Sequence, residues 1–95
     1  MKISLSEQVA GFVRSLAPEP RRKVRLALKA LAKGQGDIKA LEGPLTSYSR
    51  LRVSNYRVIL SQPTPSEIQC VYAERRSIVY EIFEEALRRR LGKQR

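Results

Sequence analysis

The stretch SYSRLRVSNYRVIL, Ser47 to Leu60, decides the fold of this chain. Two runs rich in Val, Leu, Ile, Tyr and Arg meet at Ser54-Asn55, a pair suited to a two-residue hairpin turn with a positive φ at Asn55. That turn sets Val53 opposite Tyr56 and Arg52 opposite Arg57. Strand side chains alternate with a period of two, so Tyr48, Arg50 and Arg52 share one face with Arg57 and Ile59. Leu51, Val53, Tyr56 and Val58 share the other, which is expected to be the core face. Like charges opposed across a sheet are destabilising by about 0.2–1 kcal/mol per pair. Three arginines with no acid in the hairpin are therefore best tolerated where an anion arrives. The plain alternative is the solvated open face of an antiparallel sheet.

Around the hairpin the chain is strongly basic. Lys and Arg number 19 against 9 Asp and Glu in 95 residues, a formal +10, as expected of a domain that meets polyanions: nucleic acid first, an acidic protein second. The length suits one domain over residues 1–95, with a core able to fold alone and no room for a second. No run approaches a transmembrane helix, and MKISLSEQ lacks the apolar stretch of a signal peptide, so a cytoplasmic location is expected. With no His and one Cys, the usual zinc-ligand sets and His-based triads are missing. Cys70, in an alternating apolar run, reads as a small core residue rather than a nucleophile. Any proton chemistry falls to Tyr, Lys or carboxylates, and no cofactor or metal is expected.

Upstream, residues 2–5 read as a short strand, and Ser4 or Ser6 can cap the helix that follows. Val9, Phe12, Val13 and Leu16 form its apolar stripe, and Ala17-Pro18 ends it. A second helix starts at Glu19-Pro20, with Val24, Ala27, Leu28 and Leu31 inward and Arg22, Arg25, Lys29 and Lys33 on a basic, solvated side, until Gly34 and Gly36. Residues 37–46 form a connection with Leu41 and Leu45 against the core. Downstream, Pro63 and Pro65 mark a loop, and the next strand, EIQCVYA, sets Ile68, Cys70 and Tyr72 against Gln69 and Val71. Ser77 can cap a closing helix from about Ile78 to Leu91 with Gly92 as its stop; Val79, Ile82, Phe83, Ala86 and Leu87 make its buried stripe and Tyr80 lies beside it. Glu84–Arg88 and Glu85–Arg89 stand at i, i+4, and the tail 92–95 is expected to fray. The fold class is α+β: an N-terminal strand, an antiparallel helical hairpin, a three-strand antiparallel meander and a C-terminal helix.

That order of elements, with Arg50-Leu51-Arg52-Val53, Tyr56-Arg57-Val58-Ile59 and the later RRSIVY, resembles the RelE/ParE toxin superfamily of bacterial type II toxin-antitoxin systems over residues 2–91. In the ribonuclease branch the resemblance implies a RelE-like toxin that enters the ribosomal A site and cuts mRNA without a metal, the ribose 2′-hydroxyl attacking the adjacent phosphate to leave a cyclic phosphate. The family's functional basic residues fall on Arg50, Arg52 and Arg57, its basic cluster after the last strand on Arg75 or Arg76, and its functional tyrosine on Tyr80. Guanidinium groups would stabilise charge on the phosphoryl oxygens, and Tyr80 is the candidate general base, its phenolate favoured by nearby cations. The implied partners are the ribosome with its mRNA and an antitoxin with an acidic segment that folds as it binds.

Two features depart from the family. Arginines replace hairpin lysines, and arginine is a poor general acid, so the acid is left open. Where the family often has Gly-His-Arg before the last helix, this chain has Ala73-Glu74-Arg75-Arg76, which puts a negative charge beside the expected site. Two other functions stay open: a gyrase poison on the same fold, which generally lacks the basic and tyrosine set, and a noncatalytic nucleic-acid-binding module, for which the charge alone suffices.

Overall fold

A computed structural model describes residues 1–93. The chain runs β1 (Lys2–Leu5), α1 (Glu7–Ser15), α2 (Pro18–Ala32), β2 (Asp37–Ala40), a 3₁₀ turn (Gly43–Leu45), β3 (Ser49–Val53), β4 (Tyr56–Thr64), β5 (Glu67–Arg75) and α3 (Val79–Lys93). The strands form one sheet in the order β1-β5-β4-β3-β2, antiparallel except that β1 runs parallel to β5.

The sheet is covered on both faces. Leu51, Val53, Val58, Leu60, Ile68, Cys70 and Ala73 pack against Val9 and Val13 of α1 and Val24 and Leu31 of α2. On the opposite face Ile59 is fully buried with Leu45, Val79 and Phe83, and Leu41, Tyr48, Val71, Tyr72, Tyr80 and Leu87 surround them. The arginine face of the hairpin is thus not an open face: α3 covers the part around Ile59 and leaves the part near the Ser54-Asn55 turn in solvent.

Several local expectations change. Ser6, not Ser4, caps α1, its Oγ accepting from the Val9 amide. The hairpin register holds, with Val53 opposite Tyr56 and Arg52 opposite Arg57, but Ser54, at φ 55°, takes the positive φ expected of Asn55. A positive φ at the first central residue alone is the II′ pattern, which suits the twist of a hairpin as well as I′ does.

The meander has a further strand, since residues 37–40 pair with β3 as β2. All four of its residues are exposed, so no buried alternation marks it in the sequence. Gly36 admits it: its φ is +143°, and a Cβ there would stand 2.9 Å from Leu51 Cδ1. Strand β4 extends through Pro63 to Thr64, and the loop shrinks to Pro65-Ser66. Pro63 is tolerated because the ladder with β5 breaks between Ser61 and Thr64 and β3 pairs no further than Leu60.

A register shift reverses the expected faces of β5. Ile59 pairs Tyr72 while Leu60 pairs Cys70, leaving Val71 as the extra residue of a bulge. Ile68 and Cys70 therefore join the α1–α2 side, but Tyr72 turns to the α3 side and Ala73 replaces it. Beyond Cys70, β1 no longer covers the edge of β5, and α1 supplies its hydrogen bonds. Ser6 Oγ donates to the Val71 carbonyl, while the Gln8 amide donates to the Ala73 carbonyl and accepts from the Ala73 amide, both at 2.7 Å.

Cys70 is buried as expected. In α3, Val79 and Phe83 are buried, whereas Ala86 is exposed, and the helix continues through Gly92 to Lys93 rather than stopping there. The end of the tail, residues 94–95, lies outside the described residues. The Glu84–Arg88 and Glu85–Arg89 pairs form at 3.5 and 3.3 Å. Being exposed, they contribute about 0.2–0.5 kcal/mol each.

Candidate active site

The site is built where the β3–β4 turn, the end of β5 and the start of α3 converge. The Arg76 amide donates to the Asn55 carbonyl at 2.8 Å, so the chain leaving β5 is tied to the hairpin turn before α3 begins. Tyr80, in the first turn of α3, is thereby carried back over the arginine face.

Arg50, Arg52 and Arg57 stand on that face as the alternation requires, with Arg52 directly across from Arg57. Arg57 is held by its own turn: Nη1 donates to the Ser54 and Tyr56 carbonyls at 3.0 and 2.8 Å. Its pKa is lowered from the ordinary arginine value, by burial first and then by the positive charges of Arg50, Arg52 and Arg76, while Tyr80 opposes the shift. Four guanidinium groups and one phenol are thus within electrostatic reach of one point. Arg75 is not among them. It pairs Tyr56, whose ring packs edge-on to Phe12 on the α1–α2 side, so the expected basic cluster at Arg75 or Arg76 divides between the two faces and Arg76 alone joins the group.

Strand β2 adds residues that the sequence did not place here. Asp37 pairs Arg52, and its carboxylate bridges two arginines, Oδ1 lying 3.2 Å from Arg50 Nη1 and Oδ2 2.8 Å from Arg52 Nε. The Asp37 carbonyl also accepts from Arg50 Nη1 at 3.0 Å. Arg50 is consequently fixed and largely enclosed, its side chain 15% exposed, while Arg52 remains 57% exposed. Lys39 pairs Arg50. The negative charge expected at Glu74 lies opposite Arg57, with Oε1 accepting from the Arg75 amide at 3.0 Å. Only the period-two relation of Asp37 and Lys39 could have signalled their place, and four exposed residues are too short a run to read as a strand.

A groove of about 290 Å³ is bounded by Lys39, Ala40, Leu41, Glu42, Arg50 and Tyr80. It joins cations to the one phenol of this face that is poised at the arginines. Tyr48 and Tyr72 both lie against Phe83, and the Tyr72 pKa is raised by burial and by the Glu74 carboxylate, which suits it poorly to act as a base. A larger hollow of about 430 Å³ lies along α2 between Pro18 and Leu26, a helix that packs on the other side of the sheet. Chemically, the arginine face can hold an anion in fixed geometry, and the groove beside it offers groups able to give or take a proton.

No protein-family model matches the sequence, and no curated protein matches it significantly. Solved structures do match in fold. A chain of the RelB-RelE antitoxin-toxin complex from Methanococcus jannaschii superposes with a TM-score of 0.66 at 19% identity, covering 84% of this chain and 98% of that one. A chain of the archaeal RelE-RelB complex from Pyrococcus horikoshii gives 0.62 at 24% identity, covering 79% and 93%. A chain of the YoeB-YefM complex from Staphylococcus aureus gives 0.60 at 18% identity, covering 78% and 94%. The chain has the RelE-like toxin fold that its hairpin pattern implied.

Proposed function

We propose that this chain is the toxin of a type II toxin-antitoxin pair and acts as an mRNA endoribonuclease on the ribosome, without a metal ion. The observation that carries this reading is the gathering of Arg50, Arg52 and Arg57 of the hairpin with Arg76 and Tyr80 from a second stretch about 20 residues on. The fold likeness and the hairpin resemblance support it. In the cleavage, the 2′-oxygen attacks phosphorus as the bond from phosphorus to the 5′-oxygen breaks. Tyr80 Oη, as the general base, takes up the 2′-hydroxyl proton. The arginines stabilise the charge that develops on the nonbridging oxygens, and Arg50 and Arg57, already held by hydrogen bonds, need little reorganisation to do so. The products are a 2′,3′-cyclic phosphate and a free 5′-hydroxyl.

The partner under this reading is an antitoxin whose acidic segment neutralises the basic surface, and both act in the cytoplasm. Primer extension on translated mRNA after brief induction tests the function: new 5′ ends inside codons are expected, and their absence overturns it. Tyr80→Phe should abolish those ends. Growth arrest that persists unchanged in that variant would mark a noncatalytic nucleic-acid-binding protein.

A further inference from the structure

Breaking the phosphorus to 5′-oxygen bond requires a proton for the departing oxygen, and none of the arginines suits that role, because a guanidinium stays protonated at any working pH. Resting on the endoribonuclease reading, we propose that Lys39 on β2 is the general acid. Lys39 stands across from Arg50 in the β2–β3 ladder, and opposed residues have Cβ atoms about 4.5–5.5 Å apart. It shares its face of the sheet with Asp37, two residues away, whose carboxylate reaches Arg50 and Arg52. It borders the same groove as Arg50 and Tyr80.

The neighbouring cations already have protein partners, Arg50 and Arg52 in Asp37 and Arg57 in the turn carbonyls, which aim them as fixed donors to the nonbridging oxygens. Among the described residues no ion pair involves Lys39, so its ammonium is free to meet a leaving group. Glu42 also borders the groove, but an ionised carboxylate only accepts hydrogen bonds. The step balances: the 2′-hydroxyl proton passes to Tyr80, the Lys39 ammonium gives one proton to the 5′-oxygen, and exchange with solvent restores both groups.

The test uses ribosomes programmed with a synthetic mRNA carrying either an ordinary linkage or a 5′-bridging sulfur at the scissile position, since a thiolate leaves without protonation. Single-turnover cleavage by Lys39→Arg, which keeps the charge, should fall by about 10²-fold or more on the ordinary linkage. On the sulfur-bridged linkage it should match the wild-type rate. Equal losses on both linkages would overturn the assignment, reducing Lys39 to a charge that helps bind RNA, and so would no loss on either. Failure of the wild-type protein to cut either linkage would instead overturn the endoribonuclease reading itself. Lys39 is exposed on an edge strand, so the substitution leaves the core intact.

Discussion

The Arg76 amide donates to the Asn55 carbonyl across 2.8 Å, joining residues 21 positions apart at the corner where the arginine face meets α3. The bond belongs to the backbone, so Arg76→Ala removes the guanidinium and keeps the tie. Thermal unfolding of that variant should shift by no more than the equivalent of about 0.5 kcal/mol. Its loss of mRNA cleavage then reports charge at the site; a collapse of the melting transition would show that the side chain is structural.

Arg57 lies between Arg52, which faces it across the hairpin, and Glu74, which faces it from β5. We expect Arg57→Ala to reduce cleavage on the ribosome by about 10²-fold or more, the usual cost of removing one fixed donor to developing charge. Circular dichroism should show the fold intact, because relief of the Arg52 repulsion offsets the two lost turn hydrogen bonds.

Asp37 restrains the same cluster. Its carboxylate is 47% exposed, so the pairs with Arg50 and Arg52 add little to stability. Asp37→Asn should leave the melting temperature nearly unchanged and tighten binding to a short RNA oligonucleotide, with log Kd depending more steeply on log salt as Arg52 is released to phosphate. An unchanged salt slope would show that the carboxylate does not compete with RNA.

Gln8 completes the edge of β5 with two hydrogen bonds to Ala73, one in each direction. Gln8→Leu leaves the partly buried N–H and C=O of Ala73 unpaired at the edge of β5, at a cost of about 1–3 kcal/mol. Urea unfolding should show a lower midpoint with an unchanged slope; hydrogen exchange at the Ala73 amide should accelerate.

Burial pushes the Cys70 thiol up to about 11, against 9.0 for an exposed thiol. The folded state holds the neutral thiol while the unfolded chain ionises more readily, so this contribution is fully present below pH 9. It is lost as pH rises through 11. Raised Tyr72 acts in the same direction. Alkylation of the thiol at pH 8 should follow the unfolding rate, and Cys70→Ala should flatten part of the decline in stability at high pH.

The elements whose burial follows a simple period were legible in the chain. The hairpin register came from alternation and one turn, and the stripes Val9-Val13, Val24-Leu31 and Val79-Phe83 from helical spacing. Tyr72, Ala73, Asp37 and Lys39 were not. A single bulge at Val71 inverts every later side chain of β5, and its compensation by Ser6 and Gln8 comes from more than 60 positions away.

Local periodicity and turn chemistry were enough to place the buried stripes of the three helices, the pairing of Arg52 with Arg57 and the face that carries the charge. It took the packing of distant segments to make α3 cover the part of that face around Ile59, to bring Arg76 and not Arg75 into the cluster, and to set Asp37 and Lys39 of an edge strand beside Arg50. Those outcomes depend on hydrogen bonds and packing between segments distant in the chain, whose free energies no local pattern encodes.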